Sequence, residues 1–100
     1  MTMDEARQKL EECRVLVDDV DRRIVALLNE RTRVVQDIGR VKRQTQMPIY
    51  EPKREDQVFA NISASNRGPL TEEAVRRIFE RIIDEMRMIQ RVWMKPEGEK

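Results

Sequence analysis

The sequence predicts an all-α fold of three helices, the first of them very long, and three observations support this prediction. Only 3 glycines and 4 prolines occur among the 100 residues, and they cluster, so they divide the chain into few segments. Within these segments apolar residues recur at alternating spacings of three and four, which is the period of one helix face. No segment sustains the period-2 alternation of a strand, so we expect no sheet.

The first helix is predicted over about 40 residues, because the stretch from Asp4 to Gln44 contains no proline and one glycine, Gly39. An apolar seam with heptad spacing follows almost the whole stretch. Arg31 is the one charged residue in this seam. At 1.5 Å per residue such a helix is roughly 60 Å long. The seam consists of Leu10, Cys13, Val17, Val20, Ile24, Leu27, Arg31, Val34, Ile38 and Val41.

Two shorter helices are expected to follow. The second begins near Glu51-Pro52, with proline in its first turn, and ends near Ser65, before the helix-breaking residues 66–69. The third opens with Thr71 as its N-cap. We assign residues 1–94 to one helical domain and residues 95–100 to a polar tail that we expect to be disordered. The seam of the third helix is Val75, Phe79, Ile82, Met86, Ile89 or Gln90, and Trp93.

The length of the first helix predicts that the chain is not a monomer. Two helices of roughly 15 and 22 residues cannot cover a helix of about 60 Å, so much of its apolar seam would face water. A second copy of the chain is the simplest closed partner that buries this seam. The first segment alone is also consistent with a plain coiled-coil dimer that has no ligand site.

Composition excludes several classes of function. Lys and Arg number 20 against 19 Asp and Glu, and a net charge of +1 argues against a nucleic-acid binder. The chain has no histidine and 1 cysteine, which excludes Ser-His or Cys-His catalysis, a His-ligated metal and a disulfide framework. No stretch approaches the length of a membrane span, and the acidic start lacks the apolar region of a signal peptide. We therefore expect a soluble, cytoplasmic protein.

Polar residues on the inward faces of the predicted helices indicate a ligand site. Arg31 interrupts the seam, and Lys42 lies three turns later on nearly the same face, about 16 Å along the axis. Gln90 lies on the apolar side of the third helix, and Arg54 and Glu55 on the inward face of the second. Such a cluster suits a small dianionic ligand that carries a hydroxyl group. Alternatively, these side chains satisfy one another, for example Arg31 by pairing with Glu55.

Three stretches of the sequence resemble the all-helical (AroQ-class) chorismate mutases. DRRIVALLNER (residues 21–31), continued by IGRVK (38–42), is similar to the first-helix signature of that family. PIYEPKRE (48–55) looks like the beginning of its second helix. RIFERII (77–83), followed by Gln90, looks like its third helix. The resemblance covers roughly residues 7–92 without a detectable gap.

The resemblance implies an intertwined homodimer of three-helix chains with two active sites, each built from both chains. It implies that chorismate is converted to prephenate by an intramolecular Claisen rearrangement, without a cofactor or metal, on the route to phenylalanine and tyrosine. Arg31 would bind a substrate carboxylate. Lys42 would contact a carboxylate and the ether oxygen of the breaking bond, and Gln90 would donate to that same oxygen.

The resemblance also implies roles for five further residues. Glu55, with the backbone around Glu51, would hold the ring hydroxyl, and Arg54 would lend positive potential. Arg14 matches the arginine that reaches over from the partner chain. Met86 falls where the family often has a hydroxyl residue that supports a carboxylate, so this side chain would pack instead.

The position of Arg14 agrees with an antiparallel pairing of two first helices. Arg14 and Arg31 are about 25 Å apart along one helix, which is too far for both to bind one small ligand. In an antiparallel pair centred near Ile24, residue 14 of one chain would face residue 34 of the other. That position lies between Arg31 and Lys42.

Two other functions fit the same fold. An isochorismate–pyruvate lyase uses a similar cationic pocket to expel pyruvate, and Gln90 and the second-helix carboxylate favour the mutase over it. A non-catalytic regulatory module would bind prephenate or associate with the first enzyme of the shikimate pathway. Such a module would have lost its catalytic residues. The site residues of the family are all present here, which argues against that loss; they are Arg14, Arg31, Lys42, Glu55 and Gln90. Association with another enzyme of the pathway is compatible with either activity.

Overall fold

The computed structural model describes residues 1–94 and contains, over that range, three α-helices and no strand. They are α1 (Met3–Thr45), α2 (Pro52–Ser65) and α3 (Glu72–Met94). This confirms the all-α prediction with its very long first helix. The predicted disordered tail, residues 95–100, lies outside the described residues. In the described part of the chain, no helix is long and apolar enough to cross a membrane.

The helix ends follow from local side-chain chemistry. Thr2 and Glu5 form a reciprocal cap at the start of α1: the Thr2 Oγ1 accepts from the Glu5 N–H at 3.1 Å and donates to its carboxylate at 3.1 Å. At the start of α3, the Ala74 N–H donates to Thr71 Oγ1 at 3.1 Å, so Thr71 is the N-cap, as predicted. Pro52 occupies the first turn of α2 as expected.

The chain divides into two compact units, Met1–Arg33 and Val34–Lys100, with the boundary inside α1. The first unit is the N-terminal part of α1. Five large apolar residues of its seam are exposed within the single chain, by between 42% and 64% of their surface. This unit therefore carries a continuous apolar stripe that its own residues do not bury. These residues are Leu10, Val17, Val20, Ile24 and Leu27.

The second unit, described over residues 34–94, contains the buried core. Its buried apolar side chains are Val35, Ile83 and Met86, and α2 packs against α3. The end of α1 also lies close to α3 at Gly39. A Cβ atom at Gly39 would be 3.1 Å from the Cβ of Trp93, so glycine permits a backbone approach that a larger residue would hinder.

Candidate active site

Lys42 and Gln90 are buried side by side in the second unit. The ammonium Nζ of Lys42 lies 2.9 Å from Oε1 of Gln90, although 48 residues separate them in the chain. Lys42 is 6% exposed and Gln90 is 9% exposed. Burial of an ammonium and an amide destabilises the folded state unless both groups are hydrogen-bonded. The contact between them therefore offsets part of the cost of burying each.

Two further oxygen atoms complete the surroundings of the ammonium. Nζ of Lys42 donates to the carbonyl oxygen of Ile49 at 3.0 Å and lies 2.7 Å from a carboxylate oxygen of Glu51. Both residues belong to the connector between α1 and α2. The three protons of the ammonium therefore have three oxygen acceptors, one from the connector backbone, one from Glu51 and one from α3.

Local structure explains how these groups meet. Lys42 lies in the last turn of α1, where a cation also complements the helix dipole. Gly39 is one turn earlier, and its missing side chain lets the Gln90 backbone approach to 3.5 Å from where a Cβ would stand. Gln46 then has a φ of 56°, a left-handed conformation that ends α1 and turns the connector.

The contact with Lys42 fixes the orientation of the Gln90 amide. An ammonium only donates hydrogen bonds, so it must face the amide oxygen Oε1. The amide nitrogen Nε2 is consequently the end of this side chain that faces away from Lys42. The pair thus offers a cation and an amide donor next to each other, which is suited to an anionic or partly negative oxygen atom.

A second ion pair joins α2 to α3. Nε of Arg87 lies 3.2 Å from one carboxylate oxygen of Glu55, and its Nη2 lies 3.5 Å from the other. Arg87 also pairs with Asp84 at 2.9 Å and lies over the ring of Tyr50. The ion pair places the Glu55 carboxylate beside α3. The hydrogen bond in this pair is that of Nη2, since Nε is buried and makes none. Sequence reasoning missed Arg87, and the available signal was its position one turn before Gln90.

The remaining sequence-predicted residues lie as follows. Arg54 is exposed and donates to Gln57 at 2.8 Å, and Met86 is buried in the core. Within the unit Met1–Arg33, Arg14 is exposed and lies 3.9 Å from a carboxylate oxygen of Glu11. In that same unit Arg31 is half-buried. The structure therefore brings together Lys42, Glu51 and Gln90, while the side chain of Arg54 is directed to its neighbour in α2.

Metal chemistry has no evident ligand set in this region. Across residues 1–94, no group of three or more His, Cys, Asp or Glu side chains is arranged to hold an ion. The charged groups beside the Gln90 amide are the ammonium of Lys42 and the carboxylate of Glu51. Of these two groups the ammonium is the one that can bind an anion.

The fold and this site define a class: a small all-helical protein with a buried lysine–glutamine pair suited to an anionic ligand. Within that class, the chain belongs to the chorismate mutase type II family, whose model matches residues 13–91. The family resemblance seen in the sequence is thus confirmed.

Individual relatives agree with this assignment. The chain is 34% identical over 101 residues to a bifunctional chorismate mutase/prephenate dehydratase of Pseudomonas aeruginosa, a match that covers 92% of this chain and 28% of that protein. It is 27% identical over 89 residues to a chorismate mutase of Methanocaldococcus jannaschii, covering 88% of this chain and 90% of that one. The chain thus spans little more than a quarter of the bifunctional relative and most of the archaeal one.

A solved structure shows the same fold. The structure of chorismate mutase (form II) from Thermus thermophilus superposes with a TM-score of 0.81 at 34% sequence identity. The superposition covers 92% of this chain and 99% of that chain. The helical architecture described above is therefore that of a known family structure.

Proposed function

We propose that this chain is a chorismate mutase, an isomerase that converts chorismate to prephenate on the route to phenylalanine and tyrosine. The observation that carries the proposal is the 2.9 Å contact between Lys42 Nζ and Gln90 Oε1, which directs the amide Nε2 away from the lysine as a donor. Family membership over residues 13–91 supports the same activity. We expect this activity in the cytoplasm.

The reaction explains why the site can dispense with a nucleophile and a proton carrier. In a Claisen rearrangement of a single substrate, an ether C–O bond breaks while a new C–C bond forms, and no proton is transferred. The enzyme must hold the substrate side chain over its ring and stabilise the negative charge that develops on the ether oxygen. An acceleration of about 10⁶ requires about 8 kcal/mol, which orientation and charge stabilisation together can supply.

Lys42 and Gln90 are the catalytic pair of this proposal. The Lys42 ammonium binds a substrate carboxylate and the ether oxygen, and Nε2 of Gln90 donates to the same ether oxygen. Because Lys42 is 6% exposed, its charge acts in a poorly solvated environment where it stabilises a developing anion more strongly than in water.

The other site residues orient the substrate. Arg31 binds a carboxylate, and the Glu55 carboxylate, with the backbone at Glu51, accepts from the ring hydroxyl. The ion pair with Arg87 supports this role, because it holds Glu55 in place at 3.2 Å. Arg54 contributes positive potential, and Met86 packs beside the substrate.

The proposed active form is a homodimer in which Arg14 enters the site of the partner chain. The exposed apolar stripe on the unit Met1–Arg33 supports a second copy as its cover. The proposal includes association of this chain with another enzyme of the same pathway. It is supported by the Pseudomonas aeruginosa relative, which is named for both a chorismate mutase and a prephenate dehydratase.

The test of the activity is to mix the purified protein with chorismate and to measure prephenate formation. We expect turnover by the wild-type chain. Isochorismate is offered in parallel, and release of pyruvate from it in place of prephenate from chorismate would identify a lyase. Binding of prephenate without any turnover would identify a regulatory module.

The test of the shared site is complementation between two inactive variants. Arg14→Ala and Lys42→Ala homodimers are each expected to be inactive. A heterodimer formed by refolding them together regains one intact site if Arg14 crosses the interface, so an equal mixture should recover about a quarter of wild-type activity. If each site were built from one chain, the mixture would stay inactive and the shared site would be refuted.

A further inference from the structure

A carboxylate of the chain itself occupies the lysine on which the proposed reaction depends. Nζ of Lys42 lies 2.7 Å from Oε1 of Glu51, 2.9 Å from Oε1 of Gln90 and 3.0 Å from the carbonyl oxygen of Ile49. An ammonium has three protons, so these three oxygen atoms use all of its donors. A substrate oxygen can therefore bind Lys42 only by replacing one of them.

Glu51 is the partner that can leave. Its side chain is 48% exposed, whereas the side chain of Lys42 is 7% exposed. Glu51 precedes the first residue of α2, and its side chain makes no capping hydrogen bond to that helix. The carboxylate can thus rotate into solvent without uncovering a helix end, while Gln90 is buried and the Ile49 oxygen belongs to the backbone.

We infer that the Glu51 side chain is a displaceable internal counter-ion, which pairs with Lys42 until the substrate takes its place. The N–H that Glu51 releases is then shared between a substrate carboxylate oxygen and the ether oxygen. The inference rests on the proposed function for the identity of that substrate. An exchange of one carboxylate for another keeps the buried ammonium paired throughout binding. This matters because a buried cation without a partner is strongly destabilising.

The exchange adds a free-energy cost that every anion must meet before it can bind Lys42. A carboxylate tethered to the same chain competes at a high effective concentration, so a ligand with a single carboxylate gains little by displacing it. A dianion that is anchored by its second carboxylate at another cation brings extra contacts and displaces Glu51 effectively. The cost of displacing Glu51 is the same for both kinds of ligand, so Glu51 lowers both affinities by the same factor. At a given concentration only the more tightly bound dicarboxylate then occupies the lysine.

The test is the substitution Glu51→Gln, which keeps the length of the side chain and removes its charge. The Lys42–Glu51 pair stabilises only the free enzyme, so its loss should lower KM for chorismate about threefold to tenfold and leave kcat unchanged. Glu51→Ala, which removes the acceptor entirely, should lower KM at least as much. An unchanged or raised KM in both variants overturns the inference.

Glu85→Gln is the matched control. Glu85 lies 2.7 Å from Arg81 and is 43% exposed, so its carboxylate matches that of Glu51 in contact length and exposure. Its partner Arg81 is 74% exposed, so this pair lies in solvent and away from Lys42. Its substitution makes the same change in net charge. We expect no change in KM for Glu85→Gln, and an equal fall in both variants would mean that net charge, and not the contact with Lys42, attracts the substrate.

A binding measurement without turnover separates this inference from the proposed function. Malate, a hydroxy-dicarboxylate, and acetate, a monocarboxylate, are titrated while the side-chain amide signal of Gln90 is followed by NMR. We expect both to bind about threefold to tenfold more tightly to Glu51→Gln than to the wild type, with malate the tighter ligand in each. If the wild-type protein does not convert chorismate, but malate and acetate still bind more tightly to Glu51→Gln than to the wild type, only the proposed function is refuted. Turnover of chorismate with no shift in KM or in malate affinity would refute the role of Glu51 alone.

Discussion

Replacement of Gly39 by alanine should destabilise the chain and weaken its activity together, because Gly39 sets the distance between the end of α1 and α3. An added Cβ would lie 3.1 Å from the Cβ of Trp93 and 3.5 Å from both the Cα and the carbonyl oxygen of Gln90. The 3.1 Å contact with the nearest of these atoms would be shorter than an ordinary van der Waals contact. Since that atom is a Cβ, a change of rotamer cannot move it, and α3 itself must shift by a few tenths of an ångström.

Two opposing effects set the magnitude of this change. Alanine is favoured over glycine in a helix interior by about 1 kcal/mol. Overpacking between well-packed helices costs about 1–3 kcal/mol. We therefore expect Gly39→Ala to lower the free energy of unfolding by about 1 kcal/mol. A displaced Gln90 should also lower kcat/KM several-fold, because catalytic groups tolerate little misplacement.

The assay is urea denaturation at a fixed protein concentration, combined with the rate of prephenate formation. Asn61→Ala serves as the control, since Asn61 is an exposed position of α2 where alanine gains helix propensity without a new contact. The control should be more stable by about 0.5 kcal/mol and fully active. A Gly39→Ala variant that is about 1 kcal/mol more stable than the wild type and equally active would refute the reasoning, since propensity alone would then decide.

Two further predictions concern the site. Lys42→Ala and Gln90→Ala should each lower kcat by about 10²–10³. Helicity, measured by circular dichroism, and dimerisation, measured by gel filtration, should be unchanged. Wild-type turnover by either variant would remove that residue from the mechanism. Arg87→Leu should raise KM several-fold because Glu55 loses the partner that orients it, and Arg87→Lys should restore part of the affinity, whereas no change in KM would show that Glu55 keeps its position without Arg87.

The helices were predictable because their signals are local. Spacings of three and four residues mark the buried face, and Thr71 shows the position of a helix start by its residue type alone. The same periodicity put Lys42 and Gln90 on inward faces, and their 2.9 Å contact in the structure agrees with that placement. A buried polar residue on an otherwise apolar face needs a hydrogen-bond partner, and a polar residue on a facing apolar surface can supply it.

The contacts of Glu51 and Arg87 were not predictable from the same rules. Glu51 was expected to act through its backbone, yet its side chain reaches Lys42 because the connector turns back after Gln46. Connector residues have no period, so their side-chain directions depend on individual backbone angles. The reason for Gly39 was equally hidden, since a single glycine in a helix can mark a close approach only once the neighbouring helix is placed.

Under the proposed function, the buried lysine–glutamine pair meets one requirement of the reaction. A rearrangement without proton transfer needs donors whose protonation does not change during the reaction, and an ammonium and an amide meet that need. A buried ammonium must also stay paired when no ligand is bound to it, which the chain satisfies with an oxygen from each of three sources around Lys42. Two of those oxygens are fixed by the fold and one, on Glu51, is free to exchange, so the same contacts that make the lysine tolerable in the core also decide which anions can reach it.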